Sequence, residues 1–165
     1  MMIRTVTVSD AAALAAIYNY YVDHTVITFE EVRVTVDEFR HRIATALSQG
    51  HQWLVLEENN TLIGYAYSGL WKSRSAYRYT HEVTIYLAPD QSGKGFGSQL
   101  LTALFQQLAN TNIANLMAVI ALPNPASVAL HESLGMKKVA HFSKVGYKFS
   151  QWVDVGYWQL SLMEK

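Results

Sequence analysis

The sequence predicts an α/β fold, a mixed sheet with helices on its faces, from the element order βααβββαβαββ. Three observations carry that order: apolar runs with strand alternation, apolar stripes at helical spacing bounded by caps, and a glycine-rich turn between an apolar strand and a leucine-rich helix. The 165 residues read as one domain over 1–165, half of them apolar, with enough chain to bury a core.

Residues 3–8 alternate as a strand. Ser9 and Asp10 then cap an alanine-rich helix to about Val22, on which Leu14, Ile17, Tyr18 and Tyr21 share a face. Thr35, with Glu38 three residues on, opens a second helix whose Phe39, Ile43, Ala46 and Leu47 recur at helical spacing up to Gly50. Residues 53–57 and 62–71 are strands, and the polar turn Glu58-Asn59-Asn60-Thr61 between them is a hairpin signal. Residues 79–87 form a third long strand. After the glycine turn, residues 98–109 are helical and 113–121 a strand. Residues 125–134 form a helix with Pro125 at an early position and Gly135 as its stop. Residues 138–145 and 153–163 close the sheet.

Thirteen basic and thirteen acidic residues cancel, so no basic footprint points to nucleic acid or an anionic membrane. With no cysteine, neither a disulfide framework nor a covalent thiol intermediate is open to the chain. Met1 to Thr5 enters a strand without a basic region and apolar run, and no apolar stretch reaches membrane-span length. The expectation is a cytoplasmic protein whose partners are small molecules or a second copy.

Gly93-Lys94-Gly95-Phe96-Gly97-Ser98, opening the helix Gln99-Leu100-Leu101, reads as a phosphate cradle. Glycines let the backbone approach a ligand, and the unpaired amides of a first helical turn point at it. A Walker A loop does not fit, since Gly95 follows Lys94 and no first glycine stands upstream. A dinucleotide fingerprint fails as well: its last glycine is Ser98, and Asn115, Leu116 and Met117 stand where a ribose-binding acid belongs. On the residues alone, a solvated glycine turn remains the alternative.

Strand alternation sends Val83, Ile85 and Leu87 to one face and Glu82, Thr84 and Tyr86 to the other, which places a carboxylate among polar groups just before the glycines. By the same alternation His81 points away and is structural. His131, with Val128 and Leu134 at i−3 and i+3, fits either a core histidine or a functional one. Neither His81-Glu82 nor His131-Glu132 continues into a zinc motif, so no metal is expected. Lys72 and Arg74, beside Ser73, Ser75 and Tyr77, form either a carboxylate-binding loop or an ordinary solvated one. Phe29 and the aromatic-rich segment 147–158 suit a pocket wall, a dimer contact or the core.

Gly93-Lys94-Gly95-Phe96-Gly97, after the strand Glu82-Val83-Thr84-Ile85-Tyr86-Leu87, resembles the acyl-CoA pyrophosphate loop of the GNAT superfamily of N-acetyltransferases. Further blocks are similar to the phosphinothricin and methionine sulfoximine N-acetyltransferases: Trp71 to Tyr77; Leu122-Pro123-Asn124 with Ser127; Leu130 to Gly135; Gly146-Tyr147-Lys148; Trp152; Asp154-Val155-Gly156; and Trp158-Gln159. The resemblance runs along nearly the whole chain. It implies a mostly antiparallel GNAT-like sheet, acetyl-CoA as co-substrate, a small amino-acid or glutamate-like acceptor, a homodimer, and direct transfer without a metal. For the donor it implies Ile85, Tyr86, Leu87, Gly93, Lys94, Gly95, Phe96, Gly97, Ser98, Asn124 and Ser127. It makes Glu82 the base and His131 an assisting group; the residues expected at the acceptor from their own chemistry are Lys72, Ser73, Arg74, Tyr77 and Phe29. Two departures from the wider superfamily are Ser92, where Arg or Gln often begins the loop, and His131, where many members carry tyrosine. Acetylation of protein N-termini or other amines, and a non-catalytic acetyl-CoA sensor, are the alternatives.

Overall fold

The computed structural model describes residues 1–163. Its elements are β1 (Met2–Thr5), α1 (Ala11–His24), α2 (Val36–Ser48), β2 (Trp53–Glu58), β3 (Thr61–Leu70), β4 (Thr80–Leu87), α3 (Phe96–Ala109), β5 (Asn115–Leu122), α4 (Pro125–Ser133), β6 (Lys137–Lys148) and β7 (Gln151–Ser161). The order is the one read from the sequence. Seven strands form one sheet in the order β1-β2-β3-β4-β5-β7-β6, with every pair antiparallel except β4–β5.

Period-two alternation divides the core. Leu54 and Leu56 of β2 pack with Ala66, Val83 and the α3 residues Leu100, Leu101, Leu104 and Leu108 on one face. Trp53 and Val55 face the opposite way, against Leu14, Tyr18 and Val22 of α1 and Phe39 and Ile43 of α2. Helices on both sides of β2 explain why its first four residues are all buried.

Local chemistry moves several boundaries. β1 stops at Thr5 because Val8–Asp10 is a 3₁₀ turn capped by Thr7; the Asp10 carboxylate accepts from the Thr7 amide at 2.8 Å and from Arg4 at 2.9 Å. Asp10 thus completes a capping box rather than capping α1 itself. Asn59 and Asn60 take φ of 50° and 60°, the left-handed pair that a two-residue hairpin turn demands. Phe149 and Ser150 do the same at 50° and 58°, so the aromatic segment is not a loop: β6 runs on to Lys148, and Tyr147 pairs with Trp152.

The feature that positions the site is a divergence. β4 and β5 pair only through Thr80–Glu82 against Asn115–Met117, and beyond Glu82 the flank of β4 that faces β5 has no ladder partner among the described residues. β5 stays paired along its length with β7, and β4 with β3, so a cleft opens between two well-anchored strands.

Candidate active site

Three cavities that share Ile27 and Tyr86 in their linings follow that divergence. The first, about 420 Å³, is lined by Ile85, Tyr86 and Leu87, by Ser92, Gly93, Gly95, Gly97 and Ser98, and by Asn124, Ser127 and Leu130. Gly93 and Gly95 take φ of 77° and 81°, and Gly95 stands immediately before the first residue of α3. The Gln99 amide reaches back to the Gly95 carbonyl at 3.2 Å, leaving the amides of Phe96, Gly97 and Ser98 as the unpaired donors of the first turn. A Cβ on Gly97 would lie 3.0 Å from Leu130, so glycine lets α3 begin close against α4. Asn124 caps α4, its Oδ1 accepting from the Ser127 amide at 3.2 Å, while its side of the helix start faces the cavity. Lys94 lies outside that lining, its Nζ 3.1 Å from Gln91, and Phe96 packs against the α3-side core.

The second cavity, about 50 Å³, sits in the cleft itself, between residues 83–86 of β4 and 118–121 of β5, with His131 in its wall. His131 is 3% exposed. Its Nδ1 lies 2.8 Å from the Ser127 carbonyl, which can only accept, so Nδ1 carries the proton and Nε2 is bare in the neutral ring. Burial pushes its pKa down, more than the Ser127 bond raises it. In that state His131 can take a proton or a hydrogen bond at Nε2 and has no proton to give there.

The third, about 230 Å³, holds Glu82 with Thr28, Phe29, Tyr67, Thr84, Tyr86 and Val155. Burial raises the Glu82 pKa, and the nearby Lys72 ammonium opposes that. His81 turns to the other face as alternation required, with Nδ1 3.2 Å from Ser68 Oγ and its ring 5.2 Å from that of His51. Lys72 and Tyr77 line a separate hollow of about 540 Å³ with Trp71, Thr80, Met117, Phe142 and Tyr157, which shares no lining residue with the Glu82 cavity. Lys72 Nζ lies 5.0 Å from the Trp71 ring centroid. Ser73 and Arg74 are exposed and line none of these cavities.

Sequence reasoning missed Tyr67, Thr28, Ile27 and Tyr21. Tyr67 stands opposite Thr84 in the β3–β4 register and shares its face. Tyr21, on the α1 face it shares with Leu14, Ile17 and Tyr18, donates its hydroxyl to the Leu87 carbonyl at 2.6 Å and lines the first cavity. Alternation alone could have found Tyr67, but only with a register that the 71–79 connection conceals.

Residues 3–156 match the acetyltransferase (GNAT) domain family. The chain is 37% identical over 157 residues to phosphinothricin N-acetyltransferase of Streptomyces viridochromogenes, covering 95% of this chain and 85% of the relative. It is 37% identical to the L-methionine sulfoximine/L-methionine sulfone acetyltransferase of Salmonella typhimurium, over 99% and 96% of the two chains. The crystal structure of a phosphinothricin acetyltransferase from Sinorhizobium meliloti in complex with acetyl-CoA superposes with a TM-score of 0.94 at 32% identity, covering 97% and 87%. The chain therefore belongs to the GNAT superfamily of acetyltransferases.

Proposed function

We propose that the protein transfers an acetyl group from acetyl-CoA to the amino group of a small amino acid or a glutamate-like analogue of the phosphinothricin and methionine sulfoximine kind. The observation that carries this reading is the meeting, in one cleft between β4 and β5, of a first-turn amide cradle and a half-buried carboxylate. Acetyl-CoA, when bound, supplies the activated thioester.

The chain's own groups do the rest. The free amides of Phe96, Gly97 and Ser98 and the α3 dipole hold pyrophosphate, with the left-handed Gly93 and Gly95 leaving the approach open. The flank of β4 that has no β5 ladder partner, at Ile85 to Leu87, offers main-chain amides to the extended arm and to the thioester carbonyl. Glu82 removes one proton from the acceptor's ammonium, freeing the lone pair that attacks the carbonyl carbon. The C–N bond forms, the C–S bond breaks, and the second amine proton leaves with the thiolate. His131, bare at Nε2, is placed to receive a proton or a hydrogen bond. Lys72, whose charge acts on Glu82, suits the acceptor's carboxylate.

A homodimer belongs to the same proposal: Val139, Phe142, Tyr147 and Trp152 leave large apolar surface on β6 and β7, with Trp152 61% exposed. No helix among the described residues is long and apolar enough to cross a membrane. The test is free-thiol release from acetyl-CoA across methionine sulfoximine, phosphinothricin, amino acids, polyamines and short peptides, with Glu82→Gln alongside. A signal with the sulfoximine or phosphinothricin that the variant loses supports the reading; turnover with peptides alone moves the acceptor to protein N-termini, and tight acetyl-CoA binding without turnover favours a sensor.

A further inference from the structure

Two residues of the run Gly146-Tyr147-Lys148, which the chemistry above leaves unused, converge on the tip of the connection between α1 and α2. Lys148 is 1% exposed. An ammonium enters such a place only with a partner, and its Nζ donates to the main-chain carbonyl of Thr28 at 2.9 Å, across 120 positions of sequence. The ring of Phe149 lies 5.0 Å away. Burial pushes the Lys148 pKa down, and the charges of Glu31 and Asp23 act the other way. The amine keeps N–H groups in either protonation state, so the bond to Thr28 outlasts deprotonation.

Gly146 stands two residues earlier and so on the same face of β6. A Cβ there would lie 2.2 Å from Phe29 Cζ, which means that the Phe29 ring rests on bare backbone. From the other side, the Tyr18 hydroxyl meets Thr28 Oγ1 at 2.7 Å and donates to Glu30, whose carboxylate Arg42 holds at 2.7 Å. Thr28 is therefore gripped at its carbonyl by β6 and at its side chain by α1. What the tip carries matters: Thr28 and Phe29 wall the cavity that holds Glu82, and Ile27 borders all three cavities.

We propose that Gly146 and Lys148 form a seat for Thr28 and Phe29, with Lys148 a positioning residue that fixes the wall of the acceptor pocket. The inference rests on the acceptor site proposed above. It makes β6, the last strand of the sheet, a determinant of acceptor affinity, although its two residues act only through the tip they hold.

The experiment pairs steady-state kinetics with amide hydrogen exchange on the wild type, Lys148→Met and Gly146→Ala. Lys148→Met keeps the stem and deletes the donor. Gly146→Ala keeps Lys148 and displaces only Phe29. Both variants are expected to raise the acceptor KM about tenfold or more, to leave the acetyl-CoA KM within about threefold, and to speed exchange over residues 25–34 but not in α3. An unchanged acceptor KM in folded variants, or equal rises in both KM values with faster exchange throughout, overturns the proposal. Should the wild type turn over no acceptor, the functional reading falls, and localised exchange at 25–34 alone then decides whether the seat exists. If Lys148→Met does not fold, Gly146→Ala carries the same test.

Discussion

The two halves of the sheet are built to opposite specifications. β2 to β4 are clad on both faces, by α3 on one side and by α1 and α2 on the other, and residues such as Leu54, Val55, Leu56, Tyr65 and Ala66 are wholly enclosed. β5 to β7 bury Leu116, Ala118, Ile120 and Trp158 toward the α3 side but leave Phe142 and Trp152 exposed elsewhere. The clad half can hold a strand rigid up to its last residue, and the half-bare one leaves room for ligands. The divergence of β4 from β5 lies where the two meet, so Glu82 is fixed by one and reached through the other.

The sharpest test of that division is Glu82→Gln, which should lower kcat by roughly 10²- to 10⁴-fold while acetyl-CoA still binds, as read by thiol release and calorimetry. A raised carboxyl pKa in the fold means stability is present below the unfolded value and lost as pH rises through the folded one. The same variant should therefore be as stable as the wild type, or more so, at neutral pH. Wild-type activity should fall as pH drops through the raised Glu82 pKa. Unchanged turnover in the variant would remove the base from the cleft.

Within the clad half, Leu104→Ala should cost about 2–5 kcal/mol in urea unfolding, because its enclosed site cannot collapse fully. His81 supplies a milder effect on the same face. Burial, then the neighbouring His51, holds its pKa down at about 4 against 6.5 when unfolded. Its contribution is thus present above pH 6.5 and lost as pH falls toward 4, so His81→Gln should flatten the fall of the urea midpoint across that window. Gly95→Ala, at φ 81° with open space around it, should lose only about 1 kcal/mol from backbone strain and raise the acetyl-CoA KM severalfold. Least of all, Trp152→Ala should change monomer stability by under about 0.5 kcal/mol yet weaken self-association in sedimentation. If Trp152→Ala proved as damaging as Leu104→Ala, the contrast between the two halves would fail.

Much of the site could be read before the fold, because its signals are local. Glu82 stood out through alternation with Val83 and Ile85, and the cradle through glycines ahead of a leucine-rich helix. Two edges were misread for local reasons: the Asp10 side chain bonds the Thr7 amide and ends β1 early, and Phe149-Ser150 takes a left-handed turn without glycine. His131 remained ambiguous since its tautomer depends on Ser127, one helical turn back, and on burial that periodicity does not report.

By itself the sequence determined the order of elements, the glycine turn before α3, the face on which Glu82 lies and the absence of a thiol. Each follows from dihedral limits, side-chain period or composition, which act within a few residues. Only the tertiary structure decided that β4 leaves β5 after Glu82, that Tyr67 stands across from Thr84, and that Lys148 reaches Thr28 over 120 residues. Such pairings are set by strand order and register, and these emerge from the packing of both faces at once rather than from any one segment.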